Sequence, residues 1–88
     1  MYVVFNSEAI YGLGETQGAA RWDAQNYIGE EAADRLDGAR ATKALAHKVA
    51  NDGGDIAFGI IDDVACTYAA YERIQAARYA RKWGKRPR

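Results

Sequence analysis

The positions at which this 88-residue chain could do chemistry are few: a glycine-rich turn, one imidazole, one thiol and one adjacent pair of carboxylates. The turn is Gly12-Leu13-Gly14-Glu15-Thr16-Gln17-Gly18, which follows a β-rich segment and opens a helical one. A dinucleotide fingerprint has that placement, its G-x-G-x-x-G glycines letting the backbone approach a pyrophosphate at a helix N-terminus. Here the third glycine comes one residue late, and Glu15 sets a carboxylate where the phosphates would lie. The stretch therefore reads as the end of a hairpin and the start of a helix, since glycine is the default residue of tight turns.

The remaining candidates fall one at a time. A zinc site needs several His or Cys ligands, and His47 and Cys66 are the only residues of their kinds. His47 lies about 160° from Val49 around a helix, which puts it in solvent. Cys66 follows Val64 in a β-like run and reads as a small buried hydrophobe, since a nucleophile needs an activated thiolate and a positioned base. Asp62 and Asp63 are neighbours on a turn, whereas an acid/base pair flanks its substrate from separate elements. No catalytic residue, metal or cofactor is expected, and the chain reads as a non-enzymatic protein.

Three surface features carry more information. Glu30, Glu31, Asp34 and Asp37 form an acidic cluster, read as either a solvated helix face or a contact surface for a basic partner. Trp22 lies opposite the apolar side of its helix, beside Arg21, Gln25 and Asn26. It is either an interface anchor, since Trp and Arg dominate binding hot spots, or it packs under the first hairpin or the C-terminal helix. The C-terminal helix places Ala69, Ala76, Tyr79, Ala80 and Trp83 on one side. Tyr71, Arg78, Arg81, Lys82 and Lys85 lie on the other and Arg86 follows; Ile74 breaks the pattern, which suggests packing by the Ile74 side early in the helix and by the Trp83 side late. Such a basic stripe suits phosphate contacts, and it equally suits the negative end of a helix dipole.

These residues need elements to hold them. Tyr2-Val3-Val4-Phe5 and the stretch from Ala9 to Gly14 predict a hairpin about the Asn6-Ser7-Glu8 turn. Thr16 predicts the cap of a helix over about 17–28, with Ala20, Ala24, Tyr27 and Ile28 on one face. Residues 30–37 suggest a short acidic helix ended by Gly38, and about 42–51 a further helix with Leu45 and Val49 inward. Residues 56–66 suggest a second hairpin turning at Asp62-Asp63. Thr67 then caps a long helix over about 68–83, stopped by Gly84 and Pro87. The order ββα-α-ββα predicts an α+β fold of two layers, a four-stranded antiparallel sheet from two hairpins with helices on one face.

Size and charge set the outer bounds. The chain is short enough to be a single domain over 1–84 with a short basic tail at 85–88. No apolar run reaches a membrane span and the first residues lack a signal-peptide pattern, so a cytoplasmic protein with no membrane partner is expected. Residues 1–72 hold all twelve carboxylates and carry a net charge of −7, and the last sixteen carry +7. In this small Ala/Arg/Gly-rich body with charge-segregated surfaces, the chain resembles the accessory proteins of bacteriophages and mobile elements, of which anti-CRISPR proteins are the best-known kind. The resemblance implies a protein-binding inhibitor or regulator that covers a surface of a host defence complex such as CRISPR-Cas. From the residues themselves, Trp22, Glu30, Glu31, Asp34 and Asp37 are the expected contacts with a host protein. The alternative is a small nucleic-acid-binding regulator that uses Tyr71, Arg78, Arg81, Lys82, Lys85 and Arg86.

Overall fold

Three threonines start the three longest helices. Thr16, Thr42 and Thr67 each accept a hydrogen bond at Oγ1 from the N–H three residues on, that of Ala19 (3.0 Å), Leu45 (3.2 Å) and Ala70 (3.2 Å). Each satisfies one of the orphan donors of a first helical turn. Gly29 and Gly53, both at φ 86°, end the first two of these helices. The computed structural model describes residues 1–82, so the expected end of the last helix at Gly84 and Pro87 and the 84/85 domain boundary lie outside the described residues.

The elements are β1 (Tyr2–Phe5), β2 (Ile10–Gly14), α1 (Gln17–Ile28), α2 (Glu30–Asp34), β3 (Asp37–Ala41), α3 (Lys43–Asp52), β4 (Phe58–Ile61), β5 (Val64–Thr67) and α4 (Tyr68–Lys82). The fold is α+β, with one five-stranded sheet in the order β2-β1-β3-β5-β4. Both expected hairpins form, β1 with β2 and β4 with β5. Asp62 (φ 52°) and Asp63 (φ 66°) make the second turn in the left-handed conformation that Asp tolerates.

The strand between the hairpins corrects the expected sheet. β3 pairs antiparallel with β1 and parallel with β5, so the sheet has five strands and is mixed. Its sequence, Asp-Gly-Ala-Arg-Ala, holds no β-former, and its extended form is imposed by pairing on both sides. The acidic helix accordingly stops at Asp34, where the Arg35 and Leu36 N–H groups bond back to the Ala32 and Ala33 carbonyls.

The helices also lie on both faces of the sheet and make three layers. Val3 and Val4, consecutive on β1, are both fully buried and face opposite ways. Val3 joins Ile10, Ala39, Ala65 and Leu45 of α3, while Val4 joins Ala20 and Ala24 of α1, Ala33 of α2, and Leu36. A central strand buried on both sides needs a helix layer over each. Phe5 and Phe58 meet edge to face at 5.4 Å from strands three places apart, so the sheet coils toward α3.

Gly12 and Gly14 let α1 lie close on β2. A Cβ at Gly12 would overlap the Ala20 carbonyl and come within 2.9 Å of the Ala24 nitrogen, and one at Gly14 would reach 2.5 Å from the Ala20 nitrogen. The glycine-rich motif is thus a packing surface for a helix backbone.

Candidate functional site

The outer face of α1 and α2 is the first candidate. Ala20 and Ala24 turn α1 toward the sheet, which leaves Trp22 on the opposite side and 66% exposed. Arg21 points sideways to α2, where Nη1 donates to the Ala33 carbonyl (2.7 Å) and the Leu36 carbonyl (3.0 Å). The first of these carbonyls lies in the last turn of α2 and the second just beyond it, the end of a helix that favours a cation. The nearest guanidinium to Trp22 along the chain is therefore engaged inside the fold. Glu30, Glu31 and Asp34 are exposed on α2, with Arg35 3.8 Å from Glu31. Residues 15–36, which span α1 and α2, carry a net charge of −3, so the exposed tryptophan stands on an acidic pair of helices.

The structure separates Asp37 from this group. It opens β3 and lines a groove with Phe5, Glu8, Phe58 and Ile60, a groove that none of the α2 carboxylates lines. Tyr27 departs from its expected buried face: it is 74% exposed because the last turn of α1 stands at the mouth of an open groove beside β2 and the end of α3.

The C-terminal helix packs by its first turns only. Ala70, Tyr71 and Ile74 are half-buried, and Tyr71 covers Gly59 of β4 and stacks on Tyr68 at 5.8 Å. Every residue from Gln75 to Arg81 is exposed. The expected apolar stripe through Ala69, Ala76, Tyr79 and Ala80 is thus exposed, and Ile74, the residue that broke the pattern, is directed inward with Ala70 and Tyr71. Of the basic residues, Arg78 donates to Asp62 of the β4–β5 turn at 2.6 Å, and Arg81 faces solvent. The Lys82 side chain, Trp83, Lys85 and Arg86 lie outside the described residues.

The residues first considered for chemistry hold other roles. Cys66 is buried, 3% exposed, and its thiol donates to the Gly59 carbonyl at 3.6 Å. Burial pushes this thiol above its ordinary pKa, so it stays protonated and poorly nucleophilic at neutral pH. His47 is exposed on α3. Asp62 and Asp63 form the turn, with Asp62 anchoring α4. Among the described residues no three His, Cys, Asp or Glu side chains gather as a metal site would need, and no helix is long and apolar enough to cross a membrane.

Two features escaped the sequence reading. Asp23 turns back to accept the Leu13 N–H at 3.1 Å, and the Gly54 carbonyl accepts the Ile10 N–H at 3.0 Å, which occupies donors along β2, the first edge of the sheet. At the other edge, β4 has no such cover among the described residues. The signal for this second feature was present in Phe58-Gly59-Ile60-Ile61, a strand with neither a charge nor a proline. No protein-family model, curated protein or solved structure matches the chain.

Proposed function

We propose that the chain is a non-enzymatic binding protein that covers a basic protein surface with the outer face of α1 and α2. The observation that carries this reading is Trp22, 66% exposed on an acidic pair of helices, its neighbouring arginine engaged within the fold. Leaving a tryptophan in water forgoes the burial that usually stabilises one, and a partner that buries it recovers that free energy at a hot spot. The carboxylates of Glu30, Glu31 and Asp34 supply long-range attraction and orientation toward a positive surface. In its narrowest form, drawn from the resemblance in size and composition, that surface belongs to a host defence complex.

The test is affinity capture from a bacterial lysate, with and without nuclease, using the parent, Trp22→Ala and the triple variant Glu30→Lys/Glu31→Lys/Asp34→Lys. A defined protein is expected to remain bound after nuclease, and Trp22→Ala is expected to weaken it by about thirtyfold, the scale of a hot-spot residue. The triple variant should slow association most at low salt. Capture that survives both variants, or capture of nucleic acid alone, would sink the proposal. The second reading, polyanion binding by α4, is favoured by the exposure of Gln75 to Arg81. It requires affinity that falls steeply with salt and vanishes on removal of residues 78–88.

A further inference from the structure

The two edges of the sheet are treated differently, and the difference points to a second contact. On β2, donors are taken by Asp23 and by the Gly54 carbonyl. On β4, the two-residue turn at Asp62-Asp63 makes Ile61 and Val64 a hydrogen-bonded pair, so Ile60–Ala65 and Phe58–Thr67 are non-bonded pairs. In agreement, the Ala65 carbonyl turns away from β4 and accepts the Thr42 N–H at 2.9 Å. The N–H and C=O groups of Phe58 and Ile60 therefore point out of the sheet, and no described residue bonds them.

A groove of about 740 Å³ runs past Phe58, Gly59 and Ile60. Phe58 and Ile60, whose free main-chain groups share the outer edge of β4, both line it. Glu8 and Asp37 also line it, and no lysine or arginine does. We propose that β4 is a docking strand for an extended peptide segment of a partner protein, apolar and carrying a basic residue, which adds to the sheet as a sixth strand. Main-chain bonds to Phe58 and Ile60 would give the affinity. Glu8 and Asp37 would select the basic side chain. No residue of α1 or α2 lines this groove, and the contact stands or falls independently of the proposed function.

The test uses synthetic peptides of about nine residues, long enough for one strand, in which lysine alternates with valine, threonine or tyrosine. A glutamate–valine peptide serves as the charge control, and binding is read by fluorescence polarisation. At least one lysine peptide is expected to bind, with the glutamate peptide weaker by about tenfold or more. Methylating alternate peptide nitrogens should abolish binding to the unaltered protein, and Ile60→Pro should do the same, because the Ile60 N–H faces outward and a proline there spares the β4–β5 bonds. Ile60→Thr, which keeps that N–H, should change affinity by less than about threefold. Glu8→Gln with Asp37→Asn should reduce the preference for lysine. The proposal is overturned if none of the lysine peptides binds, or if the methylated peptide binds like its parent. It is equally overturned if the protein forms a dimer that Ile60→Pro dissolves and no peptide displaces, which would make a second copy the occupant of the edge.

Discussion

Gly12→Ala and Gly18→Ala are the same chemical change with opposite expected signs, and comparing them tests how α1 is held. At Gly12 the new methyl would overlap the Ala20 carbonyl and press on the Ala24 nitrogen at 2.9 Å, where ordinary contact begins near 3.4 Å. Both neighbours are helix backbone and cannot rotate aside. α1 must lift by on the order of 1 Å, loosening Ala20 and Ala24, both fully buried. Overpacking against backbone belongs at the upper end of its usual range, about 3 kcal/mol. Losing a glycine returns about 0.5–1 kcal/mol by restricting the unfolded chain, which leaves a net loss of about 2 kcal/mol. For a domain of this size that lowers Tm by about 8–16 °C. At Gly18 nothing comes closer than the Thr16 Oγ1 at 3.9 Å, and the residue is already helical. Alanine there should stabilise by about 0.5 kcal/mol and raise Tm by about 2–4 °C. Thermal melts followed by circular dichroism decide the matter. A Gly12→Ala protein that melts at or above the parent temperature would refute the close approach of α1 to β2.

Two further outcomes follow from the burial pattern. The Cys66 thiol, held protonated by burial, should resist thiol reagents until the protein unfolds; its stabilising effect is complete below the ordinary thiol pKa of about 8.5 and is lost as pH rises through the higher folded value, a dependence that Cys66→Ala should remove in denaturant titrations at alkaline pH. The amides of residues 76–81, whose side chains are all exposed, should exchange with solvent faster than those of α1, because a helical stretch that buries little apolar surface opens locally at a low free-energy cost. Equal protection in the two helices, measured by hydrogen exchange, would contradict the exposed second half of α4.

Elements with local causes were legible in the sequence. Thr16, Thr42 and Thr67 act on an N–H three residues away, and Asp62-Asp63 closes a turn by its own backbone conformation. What escaped depends on partners remote in sequence. β3 is extended because β1 and β5 flank it, and no property of Asp-Gly-Ala-Arg-Ala announces that. The placement of α3 under the sheet follows from Val3 and Val4 both needing cover, a requirement visible only once β1 is central. Tyr27 shares its helical face with Ala20 and Ala24, yet the end of α1 stands over an open groove, so periodicity alone misplaced it. At the candidate site the charges and Trp22 could be located on their elements, while the engagement of Arg21 by α2 and the open edge of β4 required the fold.

The position of β3 has a consequence for the nascent chain. β1, β2, α1, α2 and β3 are complete when Ala41 has been made, yet the partner for the free side of β3 begins only at Val64. At translation speeds of about 5–20 residues per second, that edge waits roughly 1–5 s for β5 to be synthesised. An open edge of valines and isoleucines would be a template for pairing with another chain during that interval. β3 instead presents a glycine, two small alanines and the charges of Asp37 and Arg40. The poor β-propensity that hid this strand from a reading of the sequence keeps it from aggregating before its neighbour arrives.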